Sequence, residues 1–294
     1  MKNFTQINQS FTFLTLFLFF IVFSCSENSS KSEEGKPVME DKEPKVTMLW
    51  KTDSIFTGSE STLFHNGTIY VSNGNTKPSE KDGNGFISKL NEDGTVDSEK
   101  WVEGLSAPKG MAILNDQLFV TDIDEVVIIN LSDGSIEKKL PVENAQFLND
   151  AATDGTFVFF SDMRDAKIYK TDGEKIILVA SDVPSINGVE IYNGRIYGLN
   201  GEGLISFNEN GTYDIINDEV KGGDGLVIIN DSTFIASRWA GQIFYIKGNK
   251  TTLLLDTQEE KSNTADIGFI PTKNTITVPT FMKNEVAAYE LSFE

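Results

Sequence analysis

The sequence predicts an all-β protein, a six-bladed β-propeller whose N-terminal strand closes the last blade. Three observations carry that reading: short alternating apolar runs, glycine-containing turn pairs between them, and a recurrence of the pattern about every forty residues. Runs such as Thr68-Ile69-Tyr70-Val71, Gln117-Leu118-Phe119-Val120 and Arg195-Ile196-Tyr197-Gly198 have the period of two that marks a strand. Between such runs stand Asn66-Gly67, Asp93-Gly94, Asp133-Gly134, Asp154-Gly155, Asp172-Gly173, Asn193-Gly194 and Asn210-Gly211. A tight hairpin turn needs positive φ at both central residues, which Gly, Asn and Asp tolerate, so each pair signals a hairpin. No stretch sustains a helical period.

The recurrence sets the blades. Lys109-Gly110-Met111-Ala112-Ile113-Leu114 returns in form as Asn187-Gly188-Val189-Glu190-Ile191-Tyr192 and as Asp224-Gly225-Leu226-Val227-Ile228-Ile229. Steps of 40, 38 and 37 residues lead from Lys109 to Asn149, Asn187 and Asp224. Glu60 lies 49 residues before Lys109, the excess falling in a polar insertion over residues 75–85, and Ala265-Asp266-Ile267 opens a last copy 41 residues after Asp224. That last unit has room for only three strands, so residues 46–51 are expected to supply the fourth. Joining the two chain ends in one sheet closes the ring and removes open strand edges.

The propeller is expected to span 45–294, preceded by two segments of another kind. Residues 1–24 combine Lys2 with an apolar stretch from Phe11 to Phe23, too short for a comfortable membrane span. Val22-Phe23-Ser24-Cys25 resembles a bacterial lipobox, in which Cys25 is lipidated and becomes the mature N-terminus; an ordinary secretory signal with an incidental cysteine is the other reading. Residues 25–44 are polar and charged and read as a disordered tether. Their acidic, Ser-rich start resembles the surface-export signal of Bacteroidetes lipoproteins. The expected location is the cell envelope, lipid-anchored at the outer membrane, with the lipid as the sole membrane contact.

Composition narrows the chemistry. With 44 Asp+Glu against 25 Lys+Arg, the net charge of −19 repels phosphate backbones, and nucleic acid is not an expected partner. One Cys excludes a disulfide framework or a Cys-cluster zinc site, and one His, His65, excludes two-histidine metal motifs. What remains is carboxylates, amides and a hard cation. The first strand of each blade lines the central channel, and the residues at its start line one mouth: Glu60, Lys109, Asn149, Asn187, Asp224 and Ala265, with Asp266 adjacent. Glu60, Asn149, Asn187 and Asp224 together make an all-oxygen set with two like charges, which a cation would neutralise. Oxygen ligands suit Ca²⁺, Mg²⁺ or Mn²⁺. Asn-Gly and Asp-Gly are equally simple turn formers, so turn chemistry is the competing explanation.

At these residues the sequence resembles the SMP-30/gluconolactonase family of six-bladed propellers. The residues that carry the resemblance are Glu60 in Gly58-Ser59-Glu60-Ser61, Asn187 in Ser185-Ile186-Asn187-Gly188-Val189, Asp224 in Gly223-Asp224-Gly225-Leu226, and the pair Asn149-Asp150. The resemblance implies a divalent cation on Glu60, Asn187 and Asp224, with Ca²⁺ expected first and Mg²⁺, Mn²⁺ or Zn²⁺ as alternatives. It implies substrate contact at Asn149 and hydrolysis of a small lactone or ester; the protein is expected to be a monomer. Asp224 or Asp150 is then the expected base, and Lys109 the expected stabiliser of developing negative charge. Two departures stand out: Ser61-Thr62 follow Glu60 where the family has Gly-Pro, and Phe147 stands where its sugar lactonases carry Arg. A non-catalytic propeller that binds a ligand, glycan or partner protein is the rival expectation.

The remaining polar and aromatic residues carry blander expectations. His65 is expected in a turn, and Trp50, Trp101 and Trp239 between blades, with Trp239 as a candidate pocket wall. Arg164 and Arg238 each follow a second strand and are expected either to reach an anionic ligand or to form surface salt bridges.

Overall fold

The computed structural model describes residues 42–74 and 77–294. The signal segment, Cys25 and nearly all of the tether lie outside these residues. The chain is a ring of six four-stranded antiparallel sheets. Strand β1 (Pro44–Lys51) precedes blade one, which holds β2 (Ser59–His65), β3 (Thr68–Asn73), β4 (Gly85–Asn91) and β5 (Val96–Leu105). Blade two holds β6 (Pro108–Leu114), β7 (Gln117–Asp122), β8 (Glu125–Asn130) and β9 (Ile136–Pro141). Blade three is β10 (Leu148–Thr153), β11 (Val158–Asp162), β12 (Lys167–Thr171) and β13 (Ile176–Ala180). Blade four is β14 (Val189–Tyr192), β15 (Arg195–Leu199), β16 (Leu204–Phe207) and β17 (Tyr213–Asn217). Blade five is β18 (Leu226–Asn230), β19 (Thr233–Arg238), β20 (Gln242–Lys247) and β21 (Lys250–Asp256). In blade six, β22 (Gly268–Ile270), β23 (Thr275–Pro279) and β24 (Val286–Phe293) run outward, and β1 pairs antiparallel with β24 as the outermost strand. Among the described residues the one helical turn is a 3₁₀ turn at Pro271–Lys273.

The turn pairs divide into two kinds. Asn66-Gly67 and Asn193-Gly194 have positive φ at both residues, as a two-residue hairpin demands. At Asp93-Gly94, Asp133-Gly134, Asp154-Gly155, Asp172-Gly173 and Asn210-Gly211 only the glycine has positive φ. There the acidic or amide side chain instead accepts the backbone N–H two residues on, as from Thr95 to Asp93 at 3.0 Å and Ser135 to Asp133 at 2.9 Å. Asn115-Asp116 turns the chain with positive φ at both residues and no glycine at all. His65 sits at its turn, Nε2 lying 2.9 Å from Nδ2 of Asn66.

The apolar residues of the strands assemble into six clusters, one between each pair of neighbouring blades. Phe119, Ile128, Leu148 and Phe160 join blades two and three; Ile235, Tyr245, Ile276 and Ala287 join five and six. A blade therefore buries each of its faces only against a neighbour. The seam between the chain ends is filled by Phe56, Ile69, Val71, Leu90, Ile270 and Val286, with Trp50 packed against it. The Trp50 ring lies so close over Gly94 that a Cβ there would stand 2.5 Å from Cε3. Its Nε1 donates to the Glu92 carbonyl at 3.1 Å. Trp101 packs in the seam between blades one and two, whereas Trp239 is 42% exposed. Replacing Trp50→Ala should cost about 2–3 kcal/mol, because a large ring leaves a seam that cannot collapse onto Gly94. Urea unfolding against the wild-type chain measures it.

Candidate functional site

The mouth is built from the starts of the innermost strands. Glu60, Lys109 and Asn149 are the second residues of β2, β6 and β10, while Asn187 and Asp224 stand just before β14 and β18. The glycines that follow them are not turn glycines. Gly110, Gly188 and Gly225 lack positive φ, and each is a point where the next blade's backbone comes very near. A Cβ on Gly188 would meet the Asp224 carbonyl oxygen at 2.2 Å, and one on Gly225 would meet the Ile267 nitrogen at 2.3 Å. Turn chemistry thus fails to explain the Asn-Gly and Asp-Gly steps at the axis; close packing of adjacent blades does.

Hydroxyl groups on second strands fix the mouth residues by their backbone. Thr121 Oγ1 donates to the carbonyl of Asn149, Ser161 Oγ to that of Asn187 at 2.7 Å, and Ser237 Oγ to that of Ala265 at 2.8 Å. The same Ser161 and Ser237 oxygens accept the N–H of Asp150 at 3.1 Å and of Gly225 at 2.8 Å. Each hydroxyl therefore ties its own blade's first strand to the next blade's mouth residue. In the sequence Thr121-Asp122 and Ser161-Asp162 recur with Ser72-Asn73, where Ser72 Oγ accepts the N–H of Ser61 at 3.0 Å, while Ser237 precedes Arg238 and stands outside the pattern. These residues pass unnoticed when only first strands are aligned.

Two predicted ligand oxygens are buried without a hydrogen-bond partner, Oε2 of Glu60 and Oδ1 of Asn187. Asp224 is buried beside them. Burial raises its pKa well above the usual carboxylate range, and the Glu60 and Asp266 charges add to the rise, while a hydrogen bond from the Asn187 side chain opposes it. Burial lifts Glu60 to about 7, with the Lys109 ammonium pulling it down and Asp266 pushing it up. Lys109 is 2% exposed and its pKa is lowered by burial. Its Nζ donates to the carbonyls of Ala107 at 2.8 Å and Pro78 at 3.2 Å. Nδ2 of Asn149 meets only the Met163 sulfur, at 3.9 Å. An amide so weakly engaged is free to take a better acceptor.

The predicted residues do not all lie on one level. Asp150 accepts the N–H of Ala151 at Oδ1 and of Val189 at Oδ2, each at 2.6 Å. It lines an inner cavity of about 230 Å³ with Asp266, Glu190 and Ser61. Ser61 Oγ donates to Asp266 Oδ2 at 2.5 Å, and the Asp266 charge lies near enough to Asp150 to act on it. Burial raises Asp150 well above its ordinary value, with Asp266 adding to the rise, and lifts Glu190 to about 7 and Asp266 to about 6. Glu190 escaped the sequence reading because it stands three residues beyond the aligned mouth position, where the strand pattern favours an aliphatic residue.

A residue held tightly protonated when folded stabilises the protein most at low pH. A carboxyl with a folded pKa above its unfolded value contributes fully below the unfolded pKa and loses that contribution as pH rises through the folded one. Metal-free protein should therefore lose stability from pH 4.5 to 7, the window set by Glu60 and Glu190. Glu190→Gln should recover about 1–2 kcal/mol at pH 8 and almost nothing at pH 4.5, Glu190 being only half-buried. Urea midpoints at the two pH values measure it.

No known protein family matches the chain by sequence, and neither does any curated protein. Solved structures do match its fold. A catalytically inactive virginiamycin B lyase from Staphylococcus aureus, solved with quinupristin, is 14% identical, covering 85% of this chain and 100% of its own at a TM-score of 0.56. A luciferin-regenerating enzyme is 13% identical, covering 85% of this chain and 95% of its own at 0.57. A chain of the nidogen/laminin complex is 12% identical, covering 79% and 94% at 0.55. Likeness at such identity establishes the six-bladed propeller and nothing finer; enzymes and a protein-complex component share it.

Proposed function

We propose that the mouth is a divalent-cation site serving hydrolysis of a small lactone or ester. The observation that carries this reading is the pair of buried, unpartnered oxygens on Glu60 and Asn187 beside Asp224. These are the three residues that the likeness to SMP-30/gluconolactonase proteins marks as ligands. Leaving two buried acceptors unsatisfied costs about 1–3 kcal/mol each, and an all-oxygen set offers a hard cation such as Ca²⁺ what those atoms lack. When bound, the cation would neutralise the Glu60–Asp224 pair and polarise the substrate carbonyl.

The chain's own residues supply the rest. The weakly engaged Asn149 amide orients the carbonyl group. Asp224 takes the proton of the attacking water and returns it to the departing alcohol oxygen. Lys109, held by two backbone carbonyls, provides a fixed positive charge beneath the developing oxyanion. Asp150 is the weaker candidate for base, since both of its oxygens accept backbone amides. The enzyme would act as a monomer in the cell envelope, lipid-anchored through Cys25.

One observation favours the rival reading, a non-catalytic propeller that binds a ligand, glycan or partner protein. Lys109 already sets a positive charge by Glu60, which lessens the need for a cation there. Calcium titration separates the two readings. Ca²⁺ at a hundred times its Kd should stabilise the protein by about 2.7 kcal/mol, and Glu60→Gln should remove the effect. Chelation and Glu60→Gln should each cut lactone hydrolysis at least about a hundredfold. Activity unmoved by both overturns the hydrolase reading.

A further inference from the structure

We propose that Arg164 is the anion receptor of the mouth, and that the molecule bound there is an apolar or aromatic acid derivative with a free carboxylate at one end. The hydrolase reading above makes that molecule a substrate; the anion-binding role of Arg164 stands without it.

Arg164 follows β11 in blade three, and its guanidinium carbon lies 4.2 Å from the centre of the Phe147 ring. Lys109 Nζ lies 4.5 Å from the same centre. Phe147 is thus a buried platform carrying two cations, each stabilised by the ring's π face. The two cations differ in what they can do. Lys109 is buried and spends its donors on carbonyls, so it contributes charge. Arg164 is exposed, donates from Nη1 to Ser79 Oγ at 3.2 Å, and among the described residues has no carboxylate partner. In a chain with 44 acidic residues, an ordered arginine without an acid retains its bidentate fork for a ligand. Its loop is pinned from beneath, where Asp162 Oδ1 accepts the N–H of Arg164 at 3.2 Å and of Asp165 at 3.0 Å. Arg238 is the contrasting case, its guanidinium being taken by the Glu219 and Lys221 carbonyls and Gln242.

Across the ring from blade three, the rim carries aromatic and thioether side chains. Phe281 donates its N–H to the Ser59 carbonyl at 3.1 Å, next to Glu60. Trp239 stands edge-on to Phe281 at 5.8 Å, and Met282 beside it is 60% exposed. Exposed aromatic and thioether surface at the rim of a polar mouth fits an apolar ligand moiety. A cationic fork on one side and an aromatic wall on the other select a ligand with an acid at one end and a ring or alkyl group at the other.

The test is calorimetric titration of the full chain with 3-phenylpropionate and with 3-phenylpropionamide, with and without Ca²⁺. Wild-type protein should bind the acid about tenfold more tightly than the amide, and Arg164→Gln should abolish that preference while leaving amide binding unchanged. Arg164→Lys should keep part of it, because charge persists and the fork does not. Trp239→Ala should weaken both ligands alike. Equal binding of acid and amide, no binding of the acid, or a preference untouched by Arg164→Gln overturns the proposal. If the acid is preferred but no lactone or ester is hydrolysed, the hydrolase reading fails and the receptor stands. If hydrolysis is present but neutral and carboxylated substrates are turned over alike by wild type and Arg164→Gln, the receptor fails and the hydrolase stands.

Discussion

Closure of the ring by β1 on β24 is the constraint on which the rest of this structure depends. No blade has a core of its own; every apolar cluster is shared by two neighbours. An open ring would leave two blade faces bare, at the Trp50–Phe56–Val286 seam. The closing strand is supplied by the other end of the chain, so the seam is non-local and is completed when both ends are in place. The axial convergence of five blades' carboxylates, amides and one lysine is a consequence of that closure.

The axis is where close packing and chemistry meet. Gly110, Gly188 and Gly225 let adjacent blades approach until a single added carbon would collide with the neighbouring backbone. That approach carries Glu60, Asp224 and Asp266 within electrostatic range of one another and out of water. Raised pKa values follow from burial first; at Asp224 repulsion by Glu60 and Asp266 adds to the rise, whereas at Glu60 the Lys109 charge opposes it and at Asp266 the hydrogen bond from Ser61 does. Second-strand hydroxyls then hold the mouth by carbonyl groups rather than side chains, leaving the oxygens of Glu60 and Asn187 unengaged. Buried acceptors left free are costly, and relief of that cost is what the proposed cation would supply.

Much of the fold was legible because propellers repeat. The turn pairs, the period and the missing fourth strand of the last unit led to the blade count and the closing strand, which begins at Pro44. The mouth residues were legible for the same reason, being the same position of each unit. What escaped lies off that position. Glu190 and the hydroxyls of Thr121, Ser161 and Ser237 occupy places where a strand pattern expects ordinary filler. Trp239 was expected between blades and as a pocket wall, and stands exposed against Phe281 at the rim. The two arginines are alike in the string and differ in their partners: Arg238 is taken by Gln242 and by the Glu219 and Lys221 carbonyls, whereas Arg164 reaches Ser79, 85 residues away.

By itself the sequence determined the all-β class, the six units, their closure and the identity of the oxygen-bearing groups at the axis. Period and turn chemistry are local properties, and they survive in a linear string. The tertiary structure alone decided which of those groups share a charge environment, which keep a hydrogen bond and which go without. It separated Asp150 from Asn149, its neighbour in the chain, onto a different level of the channel, and it brought Lys109 and Arg164 to one ring of Phe147. Those relations depend on distances between residues tens of positions apart, which exist only once the ring has closed.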